Sequence, residues 1–221
     1  MKFLIPLIFI LPCTGWAAPV VQDVQILESR NAPIQMAGLF GKRNKKVRQR
    51  GNSVCGDRQI IGKPVAPISN GPCGIKNPVR ITSVAGVALQ NGATLNCATA
   101  QALQKWMDTA AVPALKRKGG GLVSVRVAAS YSCRTRNSRK GAKLSEHAKG
   151  NGVDISSFTL KSGETLTVLK DWRGKNSSVM KKMHKKACGT FGTVLGPNAD
   201  AYHQDHFHFD TARHRNGSYC R

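Results

Sequence analysis

The sequence predicts an α+β fold tied together by disulfides. Three observations lead there. Strand-like and helix-like stretches intermix along the chain without a regular βαβ repeat. His206-Phe207-His208-Phe209 alternates polar and apolar residues with the period of a strand. With Cys13 set aside in an export leader, Cys55, Cys73, Cys97, Cys133, Cys188 and Cys220 remain, an even count suited to a disulfide framework.

The chain of 221 residues is long enough for one sizeable domain and an appended tail, and its 41% hydrophobic content is enough for a core. A formal net charge of +23 says nothing of fold, but it favours polyanionic surroundings: nucleic acid, anionic lipid or a carboxylate-rich cell wall. Residues 1–17 read as a signal peptide. Met1-Lys2 supplies the positive start, Phe3 to Pro12 the apolar run, and Gly15-Trp16-Ala17 the small residues before the cleavage point. Lipid attachment at Cys13 is disfavoured by Pro12, which stands where a small residue is expected. No other segment is apolar for the roughly 18 residues a span requires, so the mature protein is expected to lack a transmembrane segment and to be periplasmic or secreted. Residues 18–54 read as a flexible basic segment, with six positive charges within Gly41–Arg50. The folded domain is expected over residues 55–221, as a monomer.

Within that domain, Pro64, Pro67, Pro72 and Pro78 with Gly71 and Gly74 predict a loop-rich approach over 62–78. Val79 to Leu89 alternates loosely and is read as a short strand. Asn96 is placed to cap a helix from Ala98 to about Ala111, with Ala100, Leu103, Trp106 and Ala110 inward and Pro113 near its end. Leu122 to Tyr131 reads as a strand with Val123, Val125 and Val127 on one face, Gly141 to Gly152 as loop, and Val153 to Phe158 as a strand. Thr165 to Leu169 is its hairpin partner. Ser177 to Cys188 suits a basic amphipathic helix with Val179, Met183 and Ala187 inward, and Phe191 to Leu195 and 206–211 suit the last strands. His184, on a lysine-rich helix, and His214, in a basic tail, are read as surface residues.

Two clusters carry chemistry. Tyr202 to Asp210 holds three of the six histidines, and Ser145 to Asp154 holds His147 and Asp154. A catalytic zinc site takes three protein ligands and keeps a fourth position open. His147, Asp154 and His208 meet that count, with His206 beside them as general base and His203 as a third candidate for the proton. Such an ion lowers the pKa of its water and polarises a carbonyl. Asp205 and Asp210 are placed to orient imidazoles. No two cysteines have zinc-ribbon spacing.

These residues carry a family resemblance. Ser145-Glu146-His147, three residues, then Asn151-Gly152-Val153-Asp154 resembles the S-x-H-x-x-G-x-A-x-D signature of the D-Ala-D-Ala metallopeptidases and hedgehog-like zinc proteins. His206-Phe207-His208 resembles their closing H-x-H. The likeness extends to the bacterial extensin-like C-terminal domain proteins, a branch of that group. It is carried over about 55–221 by Cys73-Gly74-Ile75, Ser130 to Asn137, Phe191 to Pro197 and Asp205 to Asp210. It implies a hedgehog/DD-peptidase-like fold, with a small antiparallel sheet carrying the metal site and flanked by helices. It also implies zinc on His147, Asp154 and His208, and His206 near the water. Arg134 would meet the substrate carboxylate or the developing oxyanion, which a guanidinium fork suits. Arg136 is the fallback, and Ser145 matches a substrate-bonding position that an ordinary loop-capping serine would also fill. Two departures stand out: Gly152 replaces alanine, and His203 occupies a position where several relatives place glutamate three before a histidine.

The function expected is an exported zinc peptidase or amidase, a carboxypeptidase or endopeptidase cleaving D,D- or L,D-type bonds of peptidoglycan peptides. The alternative is a non-catalytic module that binds peptidoglycan or another anionic envelope polymer and retains the metal site. Specific nucleic-acid binding has no motif behind it, and three Trp and three Tyr offer few stacking platforms.

Overall fold

A computed structural model describes residues 52–221. Residues 1–17, read as a signal peptide, and almost all of 18–54, read as a basic segment, lie outside the described residues. In chain order the strands are Ser53–Val54 (β1), Asp57–Pro64 (β2), Ile68–Asn70 (β3), Cys73–Ile75 (β4), Val79–Val84 (β5) and Val87–Leu95 (β6). A helix follows as Cys97–Trp106 (α1), a π-helical turn Met107–Ala111, and Val112–Leu115 (α2). Then come Leu122–Ala129 (β7), Gly152–Leu160 (β8), Thr165–Thr167 (β9), Val168–Asp171 (α3) and Ser177–Lys185 (α4). Thr193–Leu195 (β10), Phe207–Asp210 (β11) and Tyr219–Cys220 (β12) complete it.

The fold is mixed α and β as expected, but the sheet is not small. Ten strands join in the order β1-β2-β5-β6-β7-β8-β11-β10-β12, with β9 on β8, and β3-β4 form a separate pair. Nor is the sheet purely antiparallel, because β6 pairs with β7 and β10 with β12 in parallel. The first parallel pair follows from the α1–α2 crossover between its strands. The enlargement comes from β1 and β2 before the proline-rich stretch, from two strands, β5 and β6, where one was expected, and from β12. Pro64 closes β2, where its missing N–H costs nothing to the ladder. Gly62 sits at a register shift between β2 and β5, and a Cβ there would lie 2.3 Å from the Arg80 carbonyl oxygen. Turn residues thus punctuate short paired strands instead of replacing them.

Asn96 caps α1 as expected, its Oδ1 accepting from Thr99 N–H at 2.9 Å. The helix does not stop before Pro113. The chain widens into the π turn, and Pro113 falls in the first turn of α2, where a missing N–H is least costly. On β7, Val125 and Val127 are buried, whereas Val123 is 41% exposed. A register shift between Leu122 and Ser124 against β8 breaks the alternation there.

The core gathers around the aromatic residues of β11. Phe209 stands 4.9 Å from both Trp106 and Phe191, ring centre to ring centre, and Phe207 packs 5.7 Å from Trp172. Trp106 Nε1–H donates to the Met183 carbonyl at 2.9 Å, tying α1 to α4. The expectation of a surface His184 is overturned. Its ring is buried 5.1 Å from Phe207 and 5.3 Å from Trp172, and its Nε2 has no hydrogen-bond partner. Helical spacing explains this: His184 follows Met180 by one turn on the inner face, while the lysines point outward.

All six domain cysteines are paired, as Cys55–Cys97, Cys73–Cys133 and Cys188–Cys220. They close separations of 42, 60 and 32 residues, each worth about 4 kcal/mol in the chain-entropy model. Such bonds fit an oxidising compartment outside the cytosol. No helix among the described residues is long and apolar enough to cross a membrane.

Burial of His184 disfavours its charged form and pulls its pKa below the ordinary value, against a backbone bond to Leu195. The unfolded chain therefore takes up a proton first as pH falls below about 6.5. This residue's contribution is full above that pH and is lost on acidification. Urea unfolding of the wild type and His184→Leu at about pH 7.5 and about pH 5 should show the wild type losing stability relative to the variant at the lower pH.

Candidate metal centre

The floor of the site is set by one cross-strand pair. β11 runs antiparallel to β8 with His208 opposite Asp154, flanked by Phe207 opposite Ile155 and Phe209 opposite Val153. The apolar neighbours are buried on the other face, so the imidazole and carboxylate meet on the cleft side. His147 arrives from a short 3-10 turn, Glu146–Lys149. Ser145 caps this turn, its Oγ accepting from His147 N–H at 3.4 Å, and Gly150 ends it at φ 69°. Gly152 then leads into β8 beneath the His147 ring. A Cβ at Gly152 would stand 3.2 Å from that ring, so only a very small residue lets the imidazole lie so close to the strand.

His147 Nε2, Asp154 Oδ1 and His208 Nδ1 converge. Asp154 Oδ1 is 2.8 Å from His208 Nδ1 and 3.2 Å from His147 Nε2, and the two nitrogens are 3.1 Å apart. Ligands at about 2.0–2.1 Å around a tetrahedral ion would stand about 3.3 Å apart, so the observed spacings are a few tenths of an ångström short of such a shell. The outer partners prepare both rings. His147 Nδ1 donates to the Ser130 carbonyl at 2.7 Å, and His208 Nε2 donates to Asp210 at 3.1 Å. Those bonds leave His147 Nε2 and His208 Nδ1 as the cation-facing atoms. Two imidazole lone pairs and a carboxylate oxygen at this spacing repel unless a proton or a cation lies among them. The donor set therefore fits a divalent ion.

The electrostatics agree. Burial works against charge on Asp154, but hydrogen bonds with His147 and His208 prevail and hold it well below the usual carboxylate range. Burial likewise opposes charge on His208, yet Asp154 and Asp210 outweigh it and lift its pKa to about 9. Without an ion, His208 keeps a proton on each nitrogen and donates to both carboxylates.

Around this floor lies a cleft of about 400 Å³. His203 and His206 line it, with ring centres 5.2 Å apart. His206 Nδ1 bonds Asp205 at 2.7 Å, and its Nε2 stands 3.8 Å from Asp154 Oδ2. His203 Nδ1 bonds Asp200 at 2.7 Å. Burial lowers the His203 pKa, against the pull of Asp200. Arg134 and Arg136 line the cleft, Arg134 half-buried and Arg136 exposed. Ser145 lies at the same wall, but its hydroxyl oxygen is the cap of the His147 turn. His214 is exposed as expected, yet it also lines the cleft, with Nε2 3.0 Å from Thr193 Oγ1.

Sequence reasoning missed Asp200, although an aspartate three residues before a histidine at the head of a turn is a legible capping signal. Its carboxylate accepts from Tyr202 N–H at 2.8 Å as well as holding His203. It also missed the Ser130 carbonyl, a backbone atom that no residue type announces. Nor did it see that Glu146 binds Asn151 Nδ2 at 2.6 Å, which braces the turn behind His147.

His147→Ala and Asp154→Ala should each abolish stoichiometric zinc binding while leaving the circular dichroism spectrum unchanged; full occupancy in either would refute the ligand set. Asp210→Asn should weaken zinc about 10- to 100-fold in a chelator competition. A bound cation must displace the His208 proton. Apparent affinity in the same competition should therefore rise about ten-fold per pH unit below about pH 9.

No curated protein and no solved structure matches the chain. A family model described as Extensin-like protein C-terminus matches residues 45–221, which takes in every described strand and helix together with the His147–Asp154–His208 cluster. By that match the chain belongs to the extensin-like C-terminus family.

Proposed function

We propose that this protein is an exported zinc-dependent peptidase or amidase of the hedgehog/DD-peptidase-like group, acting on peptidoglycan peptides. One observation carries the reading. Three buried donor atoms converge on the floor of an open cleft, and two further histidines stand beside them with one nitrogen each turned away from its carboxylate partner. A structural zinc site would be closed by a fourth protein ligand; this donor set has three. The leader read at residues 1–17 and the three disulfides support export.

When bound, a zinc ion would supply a water of lowered pKa and polarise the scissile carbonyl. The chain's own residues do the rest. His206 is fixed by Asp205 through Nδ1, leaving Nε2 to take a proton near Asp154 and return it to the leaving amine. His203, held by Asp200 and set against both His206 and His208, is placed to pass that proton on or to replace His206 as base. Arg134 is half-buried at the wall and offers its fork to a substrate carboxylate or to charge developing on the carbonyl oxygen. Arg136, two residues on, is exposed.

Purified sacculi incubated with the protein should release peptide fragments, detected by mass analysis, and a chelator should abolish the release. His206→Ala should lower kcat about 100-fold or more with zinc content unchanged. Arg134→Ala should lower kcat/KM about 10- to 100-fold, again with full zinc. Stoichiometric zinc without release of any fragment would favour an envelope-binding module instead.

A further inference from the structure

The segment Arg134–Leu144 carries Arg134, Arg136, Arg139, Lys140 and Lys143 and no acidic residue. It folds back on itself. Arg136 N–H donates to the Lys143 carbonyl at 2.9 Å, Ser145 N–H donates to the Arg134 carbonyl at 3.1 Å, and Thr135 bridges Leu144. The Cys73–Cys133 disulfide fixes its base, and the Thr135 hydroxyl donates to the Arg139 carbonyl at 2.7 Å toward its tip. Arg134, Arg136, Asn137 and Ser138 line the metal cleft, and Arg136, Arg139, Lys140 and Lys143 are exposed.

One feature of its backbone sets this loop apart from an ordinary solvated charge run. Asn137 and Ser138 have φ of 53° and 54°, a left-handed conformation that residues other than glycine seldom adopt, and both face the cleft. Successive residues hold such a conformation where the surroundings dictate the backbone shape. The loop's cations share the general lack of internal counter-charge, but this run begins at residues that line the metal cleft. Among the described residues, only Lys149 and Lys175 of all the lysines and arginines pair with an acidic side chain. The acids that share the cleft are engaged elsewhere: Glu146 with Lys149 and Asn151, Asp200 with His203, Asp210 with His208. One substrate carboxylate needs one guanidinium fork, and Arg134 supplies it. The four cations beyond it suit a ligand that repeats its negative charge.

We propose that Arg134–Leu144 is a docking strip for a polymer bearing repeated carboxylates, which holds neighbouring repeats on Arg136, Arg139, Lys140 and Lys143 while one enters the metal cleft. This rests on the reading that the cleft receives envelope peptides, and it narrows the substrate to the intact polymer over a free peptide. Contact at several points raises the effective concentration of scissile bonds at the cleft. The attraction is screened over about 8 Å at physiological ionic strength, so it weakens with added salt.

The test is co-sedimentation of the full chain with purified peptidoglycan sacculi, alongside chelator-sensitive fragment release from sacculi and from a free stem peptide. The variant Arg139→Gln, Lys140→Gln, Lys143→Gln, which spares the cleft-lining Arg134 and Arg136, should be retained about ten-fold less than wild type at about 50 mM salt, and the gap should close near about 0.5 M. Its turnover of free peptide and its zinc content should stay at the wild-type level. A control removes the same charge from α4, with Lys181, Lys182 and Lys185 changed to Gln; its retention should stay within about two-fold of wild type. Equal loss in the α4 control would overturn the proposal in favour of net charge alone. Undiminished retention of the loop variant, or wild-type binding to DNA-cellulose in place of sacculi, would overturn it too. Retention that depends on the loop without any fragment release would refute the peptidase reading and leave the docking strip standing.

Discussion

The pairing of His208 with Asp154 across β8 and β11 is the constraint on which the rest of the site depends. Side chains directly opposite on neighbouring strands are forced close together, and here one is an imidazole and the other a carboxylate. Phe207 and Phe209 anchor the register from the opposite face, fully buried against Trp106, Trp172 and Phe191. A slip by one residue would send both phenylalanines into the cleft and His208 into the core. The aromatic core and the polar site are therefore two faces of one hydrogen-bonded ladder, and neither can shift alone.

Everything else at the centre brings groups to that ladder or holds them there. The turn at Glu146–Lys149 delivers His147, and the Ser130 carbonyl at the end of β7 fixes its ring. Asp210, two residues along β11, holds the far side of His208. The result is a concentration of buried charge balanced by mutual hydrogen bonds. The elevated His208 pKa and the depressed Asp154 pKa are two signs of the same balance. Disulfides stand at the edges of this arrangement: Cys73–Cys133 at the base of the cationic wall, and Cys188–Cys220 where β12 closes on β10.

The cleft has walls of opposed character. Carboxylates lie at its floor and along the side that orients the histidines, while the facing loop is cationic and free of acids. The loop holds five of the chain's 34 lysines and arginines, so most of the positive charge lies elsewhere.

Local chemistry was legible in the sequence. The alternation of histidine and phenylalanine over 206–209 set the two faces of β11, because side-chain period in a strand is a property of the backbone. The Asn96 cap and the hairpin of β8 with β9 were readable for the same reason, each being decided within a few residues. The expectation that His147, Asp154 and His208 share one site rested on residue types and family likeness, and the structure brings those three residues together. Tertiary structure alone decided the size of the sheet, since pairing between strands dozens of residues apart leaves no periodic trace in the sequence. It alone decided that His184 turns inward to the aromatic core, that the six cysteines pair as they do, and that a backbone carbonyl at Ser130 orients His147. Those features are contacts between distant segments, and their energies exist only once the chain has closed upon itself.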